Sequence, residues 1–194
     1  MNENKDNKQE LLKVGLELFA KKGFDGTSTQ EIVDAAGVTK PTMYHYFASK
    51  EGLLREILGV HYRELLRELR AASSICEDIP LSCFRLMRVY FDSAVRTPDF
   101  FRLRAGIMHR SGEDALYTAA EEFIVAEREI LLGFFEAAAV QAGNLRGKES
   151  LCALSFEGII NAHIATYLHS GDESFLSDET VYRLRQQFLY GIYS

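Results

Sequence analysis

Proline is scarce in this chain, at three residues in 194, and no run alternates polar and apolar residues as a strand would. Those two absences argue against a β-protein and leave helices free to run long. Cysteine is equally rare: Cys76, Cys83 and Cys152 are odd in number and lie in apolar helical surroundings. They read as buried thiols, not as disulfides or metal ligands. No apolar run is long enough to span a bilayer, and the opening "MNENKDNKQE" has no hydrophobic signal region behind it. The expectation is a cytoplasmic protein with no membrane partner.

What is present is ordinary in bulk, 47% hydrophobic and 26% charged, and suits one large domain or two small ones. The net charge of −6 is uneven: residues 1–72 carry 11 basic and 11 acidic side chains, whereas residues 73–194 carry 11 and 17. A neutral first part can still gather cations on one face, while the acidic remainder would stay away from phosphate.

Apolar spacing predicts a first helix over about 7–22, with Leu11, Gly15 and Leu18 on one stripe and Gly23 as its C-cap. A short helix starts at "TSTQE", where Ser28 and Glu31 form a capping box. Another runs from Lys40 to Phe47 with Pro41 in its first turn, and a fourth over 51–72 buries Leu53, Leu54, Ile57, Leu58, His61, Leu65 and Leu69. Further helices are expected at about 80–96, 98–110, 113–142, 149–169 and 178–192, broken at Pro98, Gly112, Gly143/Gly147 and Gly171.

The stretch "GVTKPTMYHYFASK" carries the most chemistry. Two short helices joined by "AGVTK" make a helix-turn-helix. With Met43 in the core, Phe47 and Tyr46 share its broad side, while Pro41, Tyr44 and His45 point outward, flanked by Lys40 and Thr42. Such a face suits the major groove. Lys40 can meet a phosphate or guanine acceptors, and Pro41 and Thr42 can pack against thymine methyls. Tyr44, His45, Tyr46, Ser28, Thr29, Thr39 and Lys50 can donate to phosphate oxygens, and Gln30 can read an adenine or bond the backbone. An amphipathic helix packing its aromatics in a core is the bland alternative, and the division of the rings between two faces argues against it.

At this point the sequence resembles the TetR family of bacterial transcription regulators. "GFDGTSTQEIVDAAGVTKPTMYHYFASKEGLL" matches that family's glycine-aromatic pair, threonine-rich cap, alanine-glycine-valine turn, tyrosine-x-tyrosine-phenylalanine and serine-lysine-glutamate, within a resemblance over roughly residues 8–58. One departure is Val33, where the family mostly has alanine, a packing variation. The resemblance implies an all-α protein: a three-helix DNA-binding domain over 1–50, a connecting fourth helix over 51–72, and a larger helical effector-binding and dimerisation domain over 73–194. It implies DNA contacts at Ser28, Thr29, Gln30, Thr39, Lys40, Pro41, Thr42, Tyr44, His45, Tyr46 and Lys50. It also implies a homodimer, formed through the helices near 149–169 and 178–192, on a palindromic double-stranded operator, released by a small-molecule effector.

The residues agree with a dimer on independent grounds, the alternative being that both helices are interior to a monomer. Helix 178–192 has one apolar stripe of Val181, Leu184, Phe188 and Ile192 and a second of Tyr182, Leu189 and Tyr193. Helix 149–169 carries the small residues Ala153, Ser155, Gly158, Ala162 and Ala165. Ten of thirteen phenylalanines follow residue 80, and polar residues interrupt their apolar faces. Tyr90, Phe101, His109, Tyr117, Phe123, Asn161 and His163 are the effector-contact candidates. The expected mechanism is an effector-driven shift between two helical arrangements, with the Pro98 joint and the fourth helix as levers.

Two rival classes are weaker. An enzyme lacks its signatures: there is no Glu-x-x-His or His-Glu-x-x-His, "GNLRGKES" is one spacer short of a phosphate-binding loop, and no cofactor or metal motif stands out. Glu121/Glu122 and Glu127/Glu129 read as a solvated face. A protein-docking module would bind without the steep salt dependence of a phosphate contact.

Overall fold

The computed structural model describes residues 3–74, 78–110 and 112–190, with side chains from residue 6 onward. The expected helices are found: α1 Glu3–Lys22, α2 Thr29–Ala35, α3 Lys40–Phe47, α4 Lys50–Ser73, α5 Ile79–Arg96, α6 Pro98–Met108, α7 Ala115–Gln141, α8 Glu149–Ser170 and α9 Asp178–Tyr190. Short 3-10 turns at Gly143–Leu145 and Glu173–Leu176 join α7 to α8 and α8 to α9. Among the described residues there is no strand, so the fold is all-α. Cys76, Ile192 and Tyr193 lie outside the described residues. Cys83 is buried, and Cys152 is a half-buried free thiol whose pKa burial pushes up.

The chain forms two compact units, which divide it differently from a cut at residue 72. One contains the residues up to Tyr62 together with Asp99–Phe123; the other contains Arg63–Pro98 and the residues from Ile124 onward. In the first, Leu11, Val14 and Phe19 of α1 are buried with Ile32 and Val33 of α2, Met43 and Phe47 of α3, and Leu53, Leu54, Ile57 and Leu58 of α4. Each such side chain contributes about 1.5–3 kcal/mol on burial. Val33 is thus a core residue, as a packing variation should be. Rings tie the segment beginning at Asp99 to this unit. Tyr62 meets Phe100 edge-on at 5.0 Å and stacks on Phe123 at 5.2 Å, and His61 stacks on Phe100 at 5.1 Å. The fully buried ring at this level of α4 is therefore Tyr62, while His61 is half-buried.

In the second unit, Leu86, Met87, Tyr90 and Phe91 of α5 are buried with Phe134 and Phe135 of α7, Phe156 and Ile160 of α8, and Val181 and Leu184 of α9. Phe135, Phe156 and Phe188 form a mutual triangle at 5.3–5.8 Å. Arg88 donates to the Leu176 carbonyl at 2.6 Å and pairs with Asp178 at 3.3 Å, which fixes the start of α9 against α5.

Two expectations are corrected here. Glu127 is not on a solvated face: it is 1% exposed and accepts a hydrogen bond from the Tyr90 hydroxyl at 2.7 Å. On a helix it shares a side with Ile124, Leu131 and Phe134, while Glu121, Glu122 and Glu129 do lie outside. And α8 is long and apolar enough to cross a membrane by length and composition, with 22% of its apolar window buried. A search for one uninterrupted apolar run misses it because Glu157, Asn161 and His163 break the sequence.

Candidate nucleic-acid interface

The reading head is set by local chemistry at each helix end. Gly23, at φ +78°, closes α1 by donating its N–H to the Phe19 carbonyl at 3.0 Å. The loop that follows is held from inside by Thr27, which is buried and donates its hydroxyl to the Gly23 carbonyl at 2.8 Å. Ser28 then caps α2. Its Oγ accepts from the Glu31 N–H at 3.2 Å, and the Glu31 carboxylate accepts from the Ser28 N–H at 2.8 Å. Lys22 completes the cluster with an ion pair to Glu31 at 2.6 Å. Lys22 first, and the bonds from Ser28 second, lower the Glu31 pKa to about 2.

The α2–α3 turn needs Gly37, whose φ of +64° is a left-handed conformation. Thr39 caps α3, accepting from the Thr42 N–H at 3.4 Å, and its hydroxyl lies 2.9 Å from that of Thr42. Pro41 sits in the first turn, where its missing N–H costs nothing. At the other end Gly52 is forced by space, since a Cβ there would stand 1.9 Å from the Phe47 carbonyl oxygen. The α3–α4 corner is therefore tight and fixes the direction in which α3 presents its surface.

That surface divides cleanly. Met43 and Phe47 are buried; Lys40, Pro41, Tyr44 and His45 are exposed, Tyr44 to 44%; Thr42 and Tyr46 are half-buried. His45 meets the edge of Tyr46 at 5.4 Å, so the two rings brace one another at the end of α3. Ser28, Gln30 and Thr39 are also exposed, and Thr29 is half-buried. The Ser28 and Thr39 oxygens already accept from the backbone, but a hydroxyl keeps its proton to donate. Gln30 donates one amide N–H to Asp34 at 2.7 Å and keeps its second N–H and its carbonyl for a base.

Lys50 is held partly inside the protein. Its ammonium donates to the Phe24 and Thr27 carbonyls, both at 2.9 Å, and sits 4.1 Å from the centre of the Phe24 ring. Two of three N–H donors are thus spent inside the protein, joining the start of α4 to the α1–α2 loop, and one is left for a phosphate.

The effector candidates divide between the units: Phe101, His109, Tyr117 and Phe123 fall in the first, and Tyr90, Asn161 and His163 in the second. His109 is exposed, just past the end of α6. Tyr90 is fully buried on Glu127, and Phe101 is buried beside Phe100 at 5.3 Å. Tyr117 and Phe123 are half-buried on α7 and Asn161 on α8. His163 is half-buried, with its ring 6.3 Å from Phe91 and 6.4 Å from Phe175, and its buried Nδ1 has no hydrogen-bond partner. Sequence reasoning missed Glu127 and Thr27. Glu127 was detectable from its i+4 and i+7 partners; Thr27 acts through contacts inside a loop.

Residues 11–57 match the family described as bacterial regulatory proteins, tetR family. Among curated proteins, the chain is 32% identical over 92 residues to the repressor DhaR of Mycobacterium sp. strain GP1, covering 47% of this chain and 45% of that one. It is 26% identical over 137 residues to the repressor KstR2 of Rhodococcus jostii, covering 71% and 67%. The chain thus spans less than half the length of the first of these relatives. Both are transcriptional repressors, not enzymes. Among solved structures, the TetR-family regulator PfmR of Thermus thermophilus aligns over 94% of this chain and 98% of its own at 22% identity, with a TM-score of 0.70. The regulator FadR of Bacillus subtilis, solved with stearoyl-CoA, aligns over 95% and 98% at 16% identity, with a TM-score of 0.79. These likenesses extend the shared fold along the whole chain. Residues 11–57 thus build the helix-turn-helix region of the tetR family of bacterial regulatory proteins, and the chain as a whole shares its helical fold with these solved structures.

Proposed function

We propose that this protein is a cytoplasmic transcriptional repressor that binds a palindromic operator as a homodimer and releases it on binding a small-molecule effector. The observation that carries the DNA-binding part is the outer face of α3. Lys40, Pro41, Tyr44 and His45 are exposed together over a buried Met43 and Phe47, on a helix whose position the Gly52 corner fixes. Lys40 and the helix N-terminus supply attraction for phosphate, while Pro41 and the Thr42 methyl supply apolar contact for thymine. Ser28, Thr29, Tyr44, His45 and Tyr46 are the proposed phosphate donors.

The dimer rests on α8. Leu151 and Leu154 are 64% and 65% exposed, and Ser155, Gly158, Ala162 and Ala165 continue outward along the same side. A soluble helix seldom leaves such a face uncovered, and its small residues permit a second helix to approach closely. Tyr182 and Tyr190 extend apolar surface along α9. Two copies joined here would carry two reading heads, as a palindrome requires.

For the effector, the neighbour solved with stearoyl-CoA suggests long-chain acyl thioesters as the first class to screen. Within the second unit, Tyr90, Asn161 and His163 are the proposed contacts. The effector acts by preferring an arrangement that spaces the two reading heads wrongly for the operator.

The test is selection from random duplex DNA with purified protein, then binding of the winner across a salt series. A palindromic winner whose affinity falls steeply with salt supports the reading. No enrichment at low salt sinks it and favours protein docking instead.

A further inference from the structure

We infer that Arg110, in the turn after α6, is a positioning residue for the DNA-reading face: through Asp25 it holds the α1–α2 loop in the place where α2 and α3 can engage the operator. The inference rests on the DNA-binding reading above. It comes from a convergence on one short loop. Arg110 Nη2 lies 3.1 Å from Asp25 Oδ2, and its Nη1 lies 2.7 Å from Asp114 Oδ2. Asp114 is itself fixed, because its other oxygen accepts from the Leu116 N–H at 2.8 Å in the first turn of α7. Arg110 is therefore anchored on one side, and its second nitrogen reaches across 85 positions of sequence to the loop. The guanidinium between the two carboxylates has its pKa raised, by Asp114 first and Asp25 second.

The residue on one side of Asp25 is Phe24, and two further along is Thr27; these are the two whose carbonyls Lys50 holds. So the start of α4 and the α6–α7 turn grip the same few residues. Ser28 follows immediately and caps α2 through the Glu31 box, so a displacement of the loop is passed to α2 with little slack. Asp25 is 72% exposed and Arg110 32%, so the pair adds little to global stability. It biases where the loop rests. It also gives the segment from Asp99 to Phe123, which belongs to the same compact unit, a direct electrostatic hold on the reading head.

The experiment is a double-mutant cycle of Asp25→Asn and Arg110→Gln on affinity for the operator recovered by selection, at ~0.1 M salt, where exposed pairs are only partly screened. The active fraction of each protein is fixed by stoichiometric titration. The cycle is needed because each single change also alters the charge facing phosphate, and only the non-additive part belongs to the pair. A non-additivity of about two- to fivefold is expected, the range of an exposed ion pair. Arg110→Lys should recover part of the loss seen with Arg110→Gln, which a merely steric role for the guanidinium would not predict. Additive effects within about 1.5-fold, or no recovery by lysine, overturn the inference while the operator reading stands. If the wild-type protein enriches no sequence, the operator reading fails and takes this inference with it.

Discussion

Replacing Lys50 by methionine separates two roles that a lysine at this position can have. The ammonium makes two hydrogen bonds of 2.9 Å to the Phe24 and Thr27 carbonyls and lies 4.1 Å from the Phe24 ring centre. Hydrogen bonds to a charged group contribute about 1.5–3 kcal/mol each when sheltered. Lys50 is half-buried and water can reach the loop carbonyls, so together the two bonds are worth about 2 kcal/mol here. The cation–ring contact adds roughly 0.5–1 kcal/mol. Methionine keeps the apolar stem, so the expected loss is about 2–3 kcal/mol, seen as a lower urea midpoint at unchanged slope. If Lys50 serves only as a phosphate ligand, stability is unchanged, operator affinity drops, and the salt slope falls by about one. A loss below about 0.5 kcal/mol with unchanged slope would refute the reasoning, because the carbonyls would then be satisfied by water.

Three other outcomes are expected. Thr42→Ala relaxes base preference at one operator position by about three- to tenfold, near the low end of a base-pair mismatch, and binding across single-substitution operators would detect it. Uniform weakening at every position would assign Thr42 to the backbone. Glu31 has a folded pKa of about 2 against an ordinary 4.5, so its contribution is complete above pH 4.5 and disappears as pH falls towards 2. Glu31→Gln should therefore melt below wild type at pH 7, with the two curves meeting near pH 2; a gap that persists there would mean that the carboxylate charge is not the cause. Leu154→Glu places a charge in the exposed apolar face of α8 and should shift sedimentation towards monomer while helicity is retained. Unchanged sedimentation would remove α8 from the interface.

The parts of this structure that are legible in the sequence are those built from neighbours. Ser28 and Glu31 are three residues apart, as are Thr39 and Thr42, and a capping geometry leaves them few options. The inside–outside division of α3 follows from 100° per residue once Met43 is taken as core. The facing ends of α7 and α8 are legible to within one residue because Gly143 and Gly147 break the link between them. What stayed hidden depends on distance along the chain. Nothing near Lys50 says that it will turn to carbonyls 23 and 26 positions away, and nothing near Arg110 points to Asp25. Glu127 is a different failure. Its charge drew it into an acidic group with Glu129, although its helical partners Leu131 and Phe134 mark the buried side. The grouping of Asp99–Phe123 with the first helices depends on Tyr62, Phe100 and Phe123 finding one another, which no periodicity encodes.

Lys50 grips the α1–α2 loop by main-chain oxygen, and a carbonyl oxygen is the same whatever side chain its residue bears. Those two hydrogen bonds therefore measure length, and the Phe24 ring under the ammonium is the one side chain the joint reads. Exchanging the side chain of Asp25 leaves both acceptors in place, whereas inserting or deleting one residue between Phe24 and Thr27 moves one of them out of the reach of a single ammonium. Transplanting this reading head onto another helical body would therefore require the residue count and the lysine first, and with them the buried Phe24 and Thr27 and Gly26, where a Cβ would stand 2.5 Å from the Lys22 carbonyl oxygen.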